Sequence, residues 1–210
     1  MWTDIIMVLL ILTNMVILGT GRLRACIRVV ATQGVALGIL PLLIHKFEMQ
    51  LLVFAVLSVA IKGILFPMVL WRTLRQLNVW REDDPYVGYG LSLLAGPVAL
   101  VFSSWIGTRL PLPYSVNSAM LIPVALFTLI VGLFLIVGRK KALMQVLGYL
   151  VLENGIYAFG MAIAKQQPLL IELGILLDVF VGVFVMGIAI FHISRQFDHI
   201  NTDQLSTLRN

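Results

Sequence analysis

The sequence is poor in charge. Asp, Glu, Lys and Arg make up 12% of its 210 residues, about half the share usual in soluble domains. That scarcity excludes an ordinary water-facing surface. Cysteine is scarcer still. Cys26 stands alone, so no intrachain disulfide can form and no cysteine set can hold zinc or an iron–sulfur cluster here. His45, His192 and His199 have no Cys or second His at ligand spacing, and they read as helix-end or tail residues rather than metal ligands. No phosphate-binding glycine loop and no Ser/His/Asp arrangement stands out. Met1–Asp4 carries no Lys or Arg to open a signal peptide, so the first apolar run is expected to be retained.

What the chain has in abundance is hydrophobicity: 60% of its residues, with a mean hydropathy of +1.00. This predicts an all-α polytopic membrane protein. Spans of about 20 residues are expected at 3–20, 25–44, 50–71, 87–107, 115–137, 142–163 and 169–193, seven in all. They are separated by GTGRLR, HKFEMQ, WREDDP, TRLPLP, GRKK and KQQP, charged clusters that, except for HKFEMQ, also hold Gly or Pro. The net charge of +5 therefore bears on topology, not on nucleic acid. Eleven basic residues (Arg22, Arg24, Arg28, Arg72, Arg75, Arg81, Arg139, Lys140, Lys141, Arg195, Arg209) fall in alternate loops and the C-terminus, and three (Lys46, Arg109, Lys165) on the other side. The asymmetry predicts an outside N-terminus and a cytoplasmic C-terminus.

A shift of about 117 residues lays the chain over itself. GRLRACIRVV at 21–30 falls on GRKKALMQVL at 138–147, and AIKGILFPMVLWR at 60–72 falls on LLDVFVGVFVMGI at 176–188. Lys62 then lies opposite Asp178. Two parallel three-helix repeats are expected, 1–80 and 113–195, joined by a spacer helix and its loops at 81–112 and followed by a polar tail at 196–210. The odd helix restores the orientation of the second copy.

Four polar residues sit near the middle of their spans: Gln33, Lys62, Glu153 and Asp178. An ionised side chain there costs about 2.5–3.5 kcal/mol on insertion scales, and such residues face bundle interiors or wet cavities, where they mark ion paths. Their neighbours at helical spacing fit a buried setting. Gln145, Tyr149, Glu153 and Tyr157 recur every four residues as a polar stripe. Gly174 and Gly182 flank Asp178, and Gly34 and Gly38 stand beside Gln33, as small-residue packing faces. Ser58 is one turn from Lys62, and Pro67 cannot donate to the carbonyl of Gly63, so the helix is expected to kink just past the lysine. Static buried pairs that fix helix register are the alternative to a proton-carrying chain. Glu172 reads as interfacial, and Glu82, Asp83 and Asp84 before Pro85 as a solvated turn.

The stretches GRKKALMQVLGYLVLENGIYAFG, IELGILLDVFVGVFVMGIAI, ACIRVVATQGVALGIL, AIKGILFPMVL and NTDQLSTLRN closely resemble the hydrogenase-4 component E family. The second repeat is also similar to the three-helix K-type subunit of respiratory complex I and the C-type subunit of Mrp antiporters. Those carry a glutamate in the second helix and an acid in the third, positions that Glu153 and Asp178 match. The first repeat departs from that pattern: Gln33 stands about one turn before the aligned acid position, and Lys62 replaces the third-helix acid. The resemblance implies a non-catalytic subunit in the prokaryotic inner membrane, within a group 4 hydrogenase or formate hydrogenlyase assembly. Its partners would be larger antiporter-like membrane subunits and a soluble arm that holds the [NiFe] centre and the iron–sulfur clusters. Glu153, Asp178, Lys62 and Gln33 are then candidates for redox-coupled proton or Na+ translocation. A scaffold without ion conduction and a stand-alone transporter are the competing readings.

Overall fold

A computed structural model of the protein describes residues 2–44, 49–77, 80–82, 85–110 and 118–163. Helices α1 (Trp2–Gly19), α2 (Leu23–Ile44), α3 (Met49–Ala60), α4 (Phe66–Leu77), α5 (Tyr89–Arg109), α6 (Leu121–Gly138) and α7 (Ala142–Ile163) follow one another, and a π-helical turn, Ile61–Leu65, joins α3 to α4. Since α3, the π turn and α4 run on as one rod, six helical segments are long and apolar enough to cross a membrane. Strands are absent among the described residues; one isolated antiparallel bridge joins Arg22 and Arg81. The chain is a helical multi-pass membrane protein. The expected seventh span and the tail lie outside the described residues, and with them Asp178, Gly174 and Gly182.

Two spans differ from their expected limits for local reasons. The third continues past residue 71 to Leu77. There LWRTLRQL still has an amphipathic face: Leu70, Thr73 and Leu74 are buried, while Arg72 and Arg75 are exposed, the spacing of a helix that leaves the membrane along its neighbours. The fifth begins at Leu121, not 115. Ser118 sets that start: its hydroxyl accepts from the Met120 N–H at 3.2 Å and donates to Asp4 at 2.7 Å, tying the α6 entry to the first turn of α1.

The core is a four-helix arrangement in which the α1–α2 pair packs on the α6–α7 pair. The α5 helix flanks α1 and α6, and the third span flanks α2. Both flanking spans turn apolar side chains outward, among them Leu94, Val98 and Val101 on α5 and Val53, Val56 and Met68 on the third span. Toward the loop end the core holds Ile17, Leu23, Leu74, Leu135 and Leu147. Toward the other end it holds Met7, Leu40, Leu121 and Ala158. Between α6 and α7 the contact is made by backbone. A Cβ on Gly132 would collide with the backbone of Leu152, one on Gly155 would lie 2.6 Å from the Leu129 nitrogen, and one on Gly148 would lie 2.9 Å from that of Ile136. Small residues let two membrane helices approach this closely.

Three loops meet at one end. The Glu82 N–H donates to the Gly21 carbonyl at 3.0 Å, and the Leu23 N–H to that of Trp80 at 3.2 Å. The Glu82 carboxylate accepts from the backbone N–H groups of Lys140 and Lys141 at 2.8 and 2.9 Å, which serves donors at the entry to α7 that the helix leaves unpaired. Arg139 is also fully buried. It donates to the Leu18 carbonyl at 3.0 Å and lies 3.9 Å from Glu82. The expectation of a solvated turn at 82–84 is corrected for Glu82, which is completely enclosed. A carboxylate near free helix N–H groups and a guanidinium is better solvated by them than by a shared water surface.

Candidate functional site

The irregularity at Pro67 begins earlier than a simple kink would. Without an N–H on Pro67, the regular ladder cannot continue to Gly63, and the chain widens through Ile61–Leu65, with the Phe66 N–H bonded to the Ile61 carbonyl. Such π turns are frequent at functional sites. Lys62 sits within this one, and Gly34 of α2 makes room for it: a Cβ there would lie 2.6 Å from the Lys62 Cβ. One turn along α2, a Cβ on Gly38 would come within 2.7 Å of Val59 Cγ2 and 3.6 Å of the buried Ser58 hydroxyl.

Lys62 reaches α7. Its Nζ is 2.6 Å from Glu153 Oε1, and the two side chains are only 5% and 3% exposed. The ammonium also lies 5.1 Å from the centre of the Tyr157 ring and donates to Asn154 Oδ1 at 3.4 Å. Burying two charges costs several kcal/mol per ion and is tolerable only with close pairing and further hydrogen bonds. Those bonds form a chain of one direction. A lysine ammonium is donor only, so Asn154 presents its oxygen to it. The Asn154 amide nitrogen then donates to Gln33 Oε1 at 3.5 Å. Gln33 Nε2 donates to Asn14 Oδ1 and Thr13 Oγ1, each at 2.9 Å. Asn14 Nδ2 donates to Thr128 Oγ1 at 2.9 Å, and Thr128 passes its own proton to the Val124 carbonyl at 2.8 Å. Each acceptor end faces the lysine. The network crosses from α7 and the third span through α2 and α1 to α6, and every member is buried.

The polar stripe expected on α7 divides. Glu153 and Tyr157 face Lys62, but Gln145, about 12 Å along the helix from Glu153, donates to the Arg139 carbonyl at 3.0 Å and belongs to the loop junction. Tyr149 lies between, partly buried against the apolar core. Beside the ion pair is a cleft of about 10 Å³ between α2, α4 and α7, bordered by Val30, Gly34, Pro67 and Leu150. That is near the 10–15 Å³ that one water needs.

Asn14, Asn154, Thr13 and Thr128 were not among the sequence-derived candidates. Asn154, next to Glu153, and Asn14, the lone amide of an apolar run, carried a usable signal. The threonines carried none, because a membrane threonine commonly satisfies itself on its own helix, as Thr13 does on the Leu9 carbonyl at 2.7 Å. Replacing Gln33 by Leu strands the amides on both sides of it. The expected cost is about 1–3 kcal/mol, to be read by equilibrium unfolding of the reconstituted chain. A loss equal to that of Thr32→Val, at an exposed site, would show that the amide chain contributes nothing.

Comparison with known proteins comes down to two kinds of relative. The chain is 31% identical over 207 residues to the uncharacterized protein Rv0085 of Mycobacterium tuberculosis, covering 96% of this chain and 93% of that one. It is 24% identical over 160 residues to hydrogenase-4 component E of Escherichia coli K12 and of Shigella flexneri, 76% of this chain and 74% of each of those. No family model matches the chain, and no solved structure matches it.

Proposed function

The chain belongs to the family of the Mycobacterium tuberculosis protein Rv0085, and from that premise we propose that it is a non-catalytic membrane subunit of a complex I-related hydrogenase assembly. The similarity to hydrogenase-4 component E supports the assembly. The observation that carries the role is the Lys62–Glu153 contact of 2.6 Å, buried within a membrane-length bundle. In this reading Lys62 moves between Glu153 and a second acid as charge shifts in neighbouring antiporter-like subunits, and the pair transmits redox-linked proton or Na+ movement. Asp178, outside the described residues, is that second acid. The basic loop end faces the cytoplasm, and the redox centres belong to partner subunits.

The test has two stages. Affinity purification from native membranes is expected to bring down larger membrane subunits and a [NiFe] hydrogenase arm. Glu153→Gln keeps the shape and removes the charge. Complexes bearing it are expected to assemble yet to lose most ion movement per redox turnover in vesicles. Assembled mutant complexes that move ions as wild type does would end the coupling role and leave a scaffold.

A further inference from the structure

A second cluster of charge lies at the loop end, away from the ion pair. The bridge between Arg22 and Arg81 draws the start of α2 against the end of α4, and three guanidinium groups gather around one indole. The Cζ atoms of Arg24, Arg28 and Arg75 lie 6.0, 5.7 and 5.9 Å from the centre of the Trp71 ring, so any two are within about 12 Å. Arg24 also stacks on Trp80 at 3.8 Å. All three arginines are exposed. Among the described residues none of them pairs with a carboxylate, and Glu82, close by in the chain, is taken up by Arg139 and the backbone of Lys140 and Lys141. Three like charges held this close call for an anion, and guanidinium forks match phosphate oxygens.

The surface below the cluster identifies which anion. Arg75, Trp71, Met68 and Ile64 follow one another at intervals of four, three and four residues, on one face of the third span. Met68 and Ile64 are 62% and 61% exposed. From the helix end inward the face therefore reads charge, indole, then bare hydrocarbon. That is the order of headgroup, interface and acyl chain, with the tryptophan at the level where indoles settle in bilayers. A free phosphate or an acidic protein loop would use the arginines but not the apolar strip. We propose that the Arg24–Arg28–Arg75 cluster around Trp71 binds the phosphate of an anionic phospholipid whose chains lie along Met68 and Ile64.

The test is native mass spectrometry of the full chain titrated with phosphatidylglycerol or phosphatidylcholine. Wild type is expected to retain phosphatidylglycerol at least about tenfold more tightly, with about a fivefold loss for each arginine changed to Gln. Arg109→Gln, on the single Arg109–Trp105 contact at the other end of α5, is expected to change nothing. If the triple variant does not fold, Arg28→Gln and Arg75→Gln alone carry the comparison. Equal retention of the two lipids, or unchanged retention in the variants, would overturn the proposal. So would displacement of the lipid by millimolar inorganic phosphate, which would mark a soluble-anion site. A photo-crosslinker at position 28 that captured a protein segment instead of lipid in native membranes would overturn it as well.

Discussion

Lys62→Met is expected to destabilise the reconstituted chain by about 3–5 kcal/mol, the usual loss when one partner of a buried ion pair is removed. The reason is what stays behind. Glu153 is 2% exposed, and without the ammonium its carboxylate loses the contact that offsets its desolvation. The Asn154 oxygen, turned toward Lys62 by the donor-only lysine, loses its donor too. Glu153→Leu should cost a comparable amount by stranding the lysine. The double variant Lys62→Met/Glu153→Leu is expected to recover most of the loss, since apolar groups of similar volume replace buried pairs at little or no cost. Equilibrium unfolding in bilayer discs measures the cycle, and strict additivity would mean that the two side chains do not interact. The same double variant separates the two roles a buried pair can have. If the pair only fixes register, the restored chain should support ion movement in the assembled complex; if the charge is used, the chain should be stable and the complex uncoupled.

Gly132→Leu is expected to be as damaging, by overpacking. The substituted carbon runs into the backbone of Leu152, and backbone cannot rotate aside as a side chain can. Relief requires α6 and α7 to separate, at a cost of about 3 kcal/mol or more. Leu152 precedes Glu153, so the shift also carries the carboxylate away from Lys62. Gly155→Leu, aimed at the Leu129 nitrogen, should act in the same way. Gly160→Ala supplies the contrast: nothing lies within 4 Å of a Cβ there, and the change should stay within about 0.5 kcal/mol. Unfolding measurements that found Gly132→Leu as mild as Gly160→Ala would disprove the close α6–α7 approach.

These two sites were legible to different degrees. Lys62 and Glu153 announce themselves, because an ionisable residue inside an apolar run is costly wherever the run is placed. That they contact each other was not readable: the sequence offered Asp178 and Glu153 alike as partners for the lysine. The importance of Gly132, Gly148 and Gly155 was also hidden. A glycine in a membrane helix is common, and only the position of the opposite backbone separates Gly132 from Gly160.

Helix number among the described residues, most helix limits and the gathering of basic residues into alternate loops follow from the sequence alone. Each depends on local quantities: the length of apolar run needed to cross hydrocarbon and the punctuation by Gly, Pro and charge. The burial of Glu82 and Arg139 and the division of the α7 stripe between Lys62 and the loop junction belong to the tertiary structure. So does the amide chain from Asn154 to Thr128. Its bonded partners stand up to 121 residues apart in sequence, and nothing at either end specifies the other. A hydrogen bond reaches about 3 Å, so which polar groups meet was decided only when helix packing brought five segments to one axis.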